Sequence, residues 1–278
     1  MKYTLLLILS AIYSAIYSAG FAQTLQDSTK RNFNLFHPTS KNQMRSFETD
    51  RPDATESAYT VDAGHFQYET DLFKTDRSKV DGIKTVQNYF NSFNFKLGLT
   101  NSLDIQLVAD MLVRTNVTRA ITSRNNSSFG NITIRMKQNI WGNDVGKTAL
   151  AILPFINIPT TANNKTTGGL VVPLAISLPH DWDLGTQMEA DFETNQSGKG
   201  AHLNYQTSAT ISHSLFPKCE FFTEASIFRE MELKSWEYFL NGGVVYELKG
   251  NLKVDTGLYY GLKNTSSKVI FVGLSFRY

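Results

Sequence analysis

The residues able to do acid–base, nucleophilic or metal chemistry in this chain are five histidines, one cysteine and a short run of mixed charge. Covalent catalysis needs a serine or thiol beside a base, with a third group holding that base in place. His37, His180 and His202 fall in or beside expected loops, and His65 opens an expected strand. Only His213 sits inside an alternating segment, and its neighbours Ser212 and Ser214 point to the opposite face. No metal-ligand spacing is visible, and no cofactor is implied. Cys219 is the only cysteine, so there is no internal disulfide framework. The denser chemistry is electrostatic. Glu48, Asp50, Arg51, Asp53 and Glu56 put five charges into nine residues, with no strand period.

The elements that must position these groups are short and repetitive. From Gly64 onward, segments of about ten residues alternate apolar and polar side chains, the length of a tilted membrane-crossing strand. Leu184 to Glu193 is the clearest, with Leu, Thr, Met, Ala and Phe on one face and Gly, Gln, Glu, Asp and Glu on the other. Twelve such strands are expected, at 64–75, 84–98, 103–114, 128–140, 147–158, 169–178, 184–193, 202–215, 219–229, 235–248, 252–262 and 267–278. Connections after even strands are short, as at Thr100-Asn101-Ser102 and Lys249-Gly250-Asn251. Those after odd strands are mostly longer: 76–83, 115–127, 159–168 and 194–201. Short turns alternating with long loops are the pattern of an outer-membrane barrel, with the short turns periplasmic. Trp141, Trp182, Phe216, Tyr246 and Tyr278 fall at or beside the short-turn end, where an interfacial aromatic girdle belongs. The fold class expected is therefore all-β, a transmembrane antiparallel up-and-down barrel of about 12 strands with a polar N-terminal extension.

Residues 1–22 read as a secretory signal peptide: Lys2, an apolar stretch from Leu5 to Ile16, and small residues at Gly20 and Ala22. Residues 23–63 form the extension and 64–278 the barrel. A net charge of +2 gives no field directed at nucleic acid. The mildly negative mean hydropathy fits strands that alternate.

A twelve-stranded lumen lies between the filled interior of eight strands and the open channel of sixteen. The charged segment can enter such a lumen as a partial plug, or remain a solvated periplasmic linker. In the first case Arg51 would pair with a lumenal acid, the candidates being Asp104, Asp110, Glu189 and Asp191. Arg135 joins these as a lumenal, selectivity-determining candidate. Strands 147–158 and 169–178 are apolar on both faces, so Leu153, Phe155, Val172 and Leu174 (with Ile176) are expected to line the lumen for an apolar ligand or for the plug. Pro154 and Pro173 would face each other if that hairpin centres on Asn163-Asn164.

Several stretches resemble a known family: Phe47-Glu48-Thr49-Asp50-Arg51-Pro52-Asp53-Ala54-Thr55-Glu56-Ser57, then Gly64-His65-Phe66-Gln67-Tyr68-Glu69, and Gly169-Leu170-Val171-Val172-Pro173-Leu174 with Leu178-Pro179. With Leu97-Gly98-Leu99-Thr100-Asn101 and Leu153-Pro154-Phe155, they are similar to outer-membrane β-barrel transporters labelled for a phenol-degradation meta pathway. The resemblance implies passage of small, often aromatic or apolar, molecules. Gly273-x-x-Phe276-x-Tyr278 also resembles the C-terminal assembly signal of bacterial outer-membrane barrels. The expected role is passive, substrate-selective diffusion across the outer membrane of a Gram-negative bacterium. The expected partners are membrane lipid, the barrel-assembly machinery and a small solute. The alternatives are a structural or adhesive barrel and an outer-membrane lipid hydrolase.

Overall fold

The computed structural model describes residues 32–161, 165–195 and 197–278. The signal peptide reading and the Asn163-Asn164 hairpin centre lie outside the described residues. The strands are β1 (Phe66–Val80), β2 (Ile83–Thr100), β3 (Leu103–Arg119), β4 (Thr122–Ser128), β5 (Ile132–Trp141), β6 (Thr148–Ile158), β7 (Thr167–Ser177), β8 (Trp182–Thr194), β9 (Ala201–Phe216), β10 (Cys219–Glu230), β11 (Ser235–Lys249), β12 (Leu252–Gly261) and β13 (Lys268–Arg277). Every pairing is antiparallel. β1 pairs with both β2 and β13, β2 pairs with β3, and β3 with β5, after which neighbours in sequence pair in order to β13. Twelve strands thus close on themselves, leaving no unpaired edge for the bilayer to expose. The thirteenth, β4, pairs only with the distal part of β3.

Polar groups are inside and apolar groups outside. Lys137 is 0% exposed and Glu69 1%, whereas Ile270 is 59% exposed and Met188 60%. This reversal follows from the period-two alternation once the outer face meets lipid. On β13 the outward face carries Ile270 and Val272, while Phe271, Gly273 and Ser275 turn inward. Trp182, Phe216, Tyr246 and Tyr278 lie at the short-turn end, with Phe66 stacked on Tyr278 at a centroid distance of 5.4 Å.

Two expected long loops are instead strands. The 76–83 connection is a β-hairpin in which Val80 pairs with Ile83 around Asp81-Gly82, both at positive φ. That is the Asp-Gly turn a right-twisted hairpin prefers. The 115–127 connection is the β3–β4 hairpin, turning at Ala120-Ile121. Its Thr, Asn and Ser side chains are polar on both faces, so no alternation marks it as strand. The ladder is reinforced by Asn116, whose amide donates to Ser123 at 2.8 Å. The barrel stave expected at 128–140 accordingly begins at Ile132.

The β6–β7 pairing differs by three residues from that expected. Leu153 pairs with Val171, and Pro154 with Leu170, so the two prolines do not face each other.

Candidate functional site

The site is the barrel lumen and the segment that enters it. Residues 32–45 bind the short-turn end: Leu35 donates to the Leu99 carbonyl, and Arg45 donates to the Asn101 carbonyl at 3.1 Å and to Asp144 at 3.0 Å. The chain then passes among the lumenal side chains of eight strands (β1, β2, β5, β8, β9, β10, β12 and β13) before returning. On the way back Asn139 of β5 donates to the Ala58 carbonyl, and the Val61 amide donates to Asp104 of β3 at 3.0 Å. This segment has no ladder of its own, so its backbone groups must find partners among side chains. Glu69 accepts from the amides of Asp50 and Arg51, at 3.0 and 3.1 Å. Glu224 accepts from the Ala54 amide at 3.1 Å. Gln187 accepts from the Glu56 amide at 2.7 Å and donates to the Ala54 carbonyl at 3.1 Å. Tyr259 donates to the Pro52 carbonyl at 2.6 Å.

Three of the segment's five charges, those of Asp50, Arg51 and Glu56, are matched by lumenal charges of opposite sign. Arg51 pairs with Asp71 at 2.5 Å and with Asp255 at 2.7 Å, and its guanidinium lies 5.3 Å from the centre of the Phe271 ring. Gly273 makes this possible, because a Cβ there would overlap the guanidinium. Asp50 pairs with Lys137 at 2.6 Å and with Lys96, which also meets Glu69. Burial opposes the charge on Asp50, but Lys137 and Lys96 outweigh it and hold the carboxyl below its usual range. Glu56 pairs with Arg135. Asp53 faces Glu224, and burial followed by that negative neighbour pushes its carboxyl well above the usual range.

The expected partners of Arg51 need correction. Asp104 binds the Val61 amide and Gln106, and Asp110 lies beside Gly130. Glu189 and Asp191 stand with Arg135 around a cavity on the loop side of the segment. Asp71 and Asp255 take Arg51 because β1 and β12 flank β13, whose glycine leaves the space. Both acids are visible in sequence as lumenal, but which strands the segment would approach is set by closure. Lys96, which the sequence reading did not single out, lies on a Phe/Asn-rich strand whose faces differ little in polarity.

The apolar lining is also corrected in part. Leu153 is fully buried and Phe155 borders the loop-side cavity, opposite Arg135 on the same face. Val172 and Leu174 lie on the outer face: Val172 pairs with the lipid-facing Met188, while Val171, 3% exposed, turns inward. Both faces of β7 are apolar, so composition carries no parity, and only pairing decides which set faces in. Ala149 and Ala151 of β6 pack against Ala58 and Tyr59 of the segment.

Two cavities flank the segment and share Glu56 in their walls. One, of about 700 Å³ on the short-turn side, includes Arg45, Asp53, Asn143 and Ser212; the other, of about 380 Å³, includes Arg135, Phe155, Val171, Glu189 and Asp191. His213 lies on the outer face against Trp182, with its Nε2 3.1 Å from the His180 carbonyl.

Among solved structures, an outer membrane channel from Pseudomonas putida F1 superposes with a TM-score of 0.59 at 11% identity, covering 83% of this chain and 100% of that one. The NanC porin gives a TM-score of 0.48 at 12% identity, covering 73% and 98%. No curated protein matches the chain in sequence. The likeness to the channel places the fold among outer-membrane β-barrels. The family described as "Putative MetA-pathway of phenol degradation" matches residues 49–278, from the lumenal segment to the closing strand, and the chain belongs to it.

Proposed function

We propose that the protein is an outer-membrane pore of a Gram-negative bacterium, passing a small solute by passive diffusion past a partial plug formed by residues 46–57. The observation that carries this reading is the charge-matched seating of the segment, with Arg51 between Asp71 and Asp255 and with Asp50 on Lys96 and Lys137. A solvated linker would have no need of buried ionic partners, whose desolvation is costly unless they are paired. The loop-side cavity and the family's description support a solute class. Glu189, Asp191 and Glu193 line it together with Phe155 and Val171, and its one arginine is already engaged by Glu56. Such an acidic wall disfavours anions and favours cations, while Phe155 and Val171 supply the apolar surface on which a small neutral aromatic solute, the class the family's description suggests, would pack. A hydrolase reading finds little support, because His213 contacts Trp182 and a carbonyl on the lipid side, away from the lumen.

Deleting residues 46–57 tests the plug. Single-channel conductance should rise, and unchanged conductance would sink it. Liposome swelling with phenol-sized neutral aromatics, sugars and aromatic acids tests the solute class, with the neutral aromatics expected to enter fastest. No uptake of any of them would favour a structural barrel.

A further inference from the structure

At the loop end of the lumen, three metal-ligating side chains meet on adjacent strands. Glu193, next to last in β8, pairs directly across from His202, the second residue of β9, and Glu230 closes β10 beside them. One donor atom from each lies within 4.8 Å of the other two. An ion at their centre would stand roughly 2.8 Å or less from each, against the ~2.0–2.2 Å of a zinc bond, so shifts of well under 1 Å complete the contact.

The hydrogen bonds around His202 define its tautomer. The Asn195 amide donates through Nδ2 to the Lys199 carbonyl at 2.9 Å, which turns its oxygen toward the ring. That oxygen lies 2.8 Å from His202 Nδ1, so Nδ1 carries the proton. With the proton on Nδ1, Nε2 is the nitrogen whose lone pair can meet a cation. Nε2 is buried with no hydrogen-bond partner, although a Glu230 oxygen stands 3.2 Å away. A nitrogen and a carboxylate oxygen at this distance need a cation between them, a proton or a metal ion. Glu230 is itself held: it accepts from Asn204 at 3.1 Å and from the Glu232 amide at 3.2 Å. A ligand histidine oriented through its other nitrogen and a carboxylate with its own donors are the usual supports of a metal site. One residue pair deeper, a buried oxygen of Asp191 also lacks a partner, on the same lumenal face of β8.

We propose that Glu193, His202 and Glu230 bind a divalent transition-metal ion at the loop end of the lumen. One imidazole and two carboxylates suit zinc and leave a position for water. The site goes beyond the pore reading and does not depend on the plug.

The test is calorimetric titration of zinc into the detergent-solubilised full chain, with cobalt absorption reporting the coordination. Wild type should bind one zinc ion with an affinity that His202→Ala abolishes and Asn195→Ala weakens roughly 10–100-fold. His213→Ala, at the opposite end, should bind as wild type does. The Glu193→Gln, Glu230→Gln double variant, which keeps the side-chain volumes, should lose binding even if His202→Ala fails to fold. Absence of zinc binding by wild type would overturn the proposal. So would retention of binding by either loop-end variant, or a lowered melting temperature of His202→Ala without any zinc effect in wild type, the mark of an imidazolium–Glu230 ion pair.

Discussion

Arg51 is the residue on which the seating of the segment depends most. It satisfies two carboxylates on different strands, and Gly273 provides its space. Arg51→Ala leaves Asp255 without its cation, while Asp71 keeps Lys74 at 3.1 Å; removing one partner of a buried pair costs up to ~3–5 kcal/mol. The lumen can relieve that cost by releasing the segment. The expected outcome is higher single-channel conductance together with a lower melting temperature. Gly273→Ala should give the same rise in conductance with Arg51 intact, because the added Cβ occupies the guanidinium position. If Gly273→Ala conducts as wild type does, the glycine is not what admits Arg51.

Among the elements, β7 gives the sharpest test, because its two apolar faces look alike in sequence. The pairing turns Val171 inward and Val172 toward lipid. An arginine on the lipid face near mid-membrane costs about 2–4 kcal/mol, while a lumenal one does not meet hydrocarbon. Val172→Arg should therefore lower folding stability by that amount in a lipid-vesicle denaturant titration, and Val171→Arg should cost less while narrowing the loop-side cavity. The reverse order would restore the parity expected from sequence alone. The same reasoning explains which elements were legible. Leu184 to Glu193 alternates cleanly, and β8 runs Trp182–Thr194. The β3–β4 hairpin is polar on both faces apart from Val113, Val117 and the Ala120-Ile121 turn, and its strands exist because their backbones pair, which side-chain period cannot report.

For the whole molecule, the balance between seated and released segment depends on pH through residues outside the strands. Asp53 has a raised pKa when seated, so the seated state holds a proton that the released state gives up. Its seating is favoured at low pH and lost as pH rises through the raised value. Asp50 has a lowered pKa, so its contribution is present above the ordinary carboxylate range and is lost only on acidification through the lowered value. Above the ordinary carboxylate range, Asp53 rather than Asp50 changes charge. Conductance should rise with pH there, and Asp53→Asn should weaken the dependence, leaving the part due to Glu56, whose carboxyl burial also pushes up. A wild-type conductance independent of pH would remove Asp53 from the seating equilibrium.

The sequence by itself determined the barrel, its twelve closing staves, its girdle and the identity of the charged segment. Each of these is a local property: a period of two, a turn, an aromatic at a strand end. Tertiary structure alone decided where the charges meet. Arg51 reaches Asp71 and Asp255, more than two hundred residues along the chain in the second case, because closure sets β12 and β13 beside β1. Glu193, His202 and Glu230 converge without closure, on three strands consecutive in sequence whose register is set by backbone pairing. Pairing across a closed sheet depends on every strand at once, so no single stretch of sequence carries it.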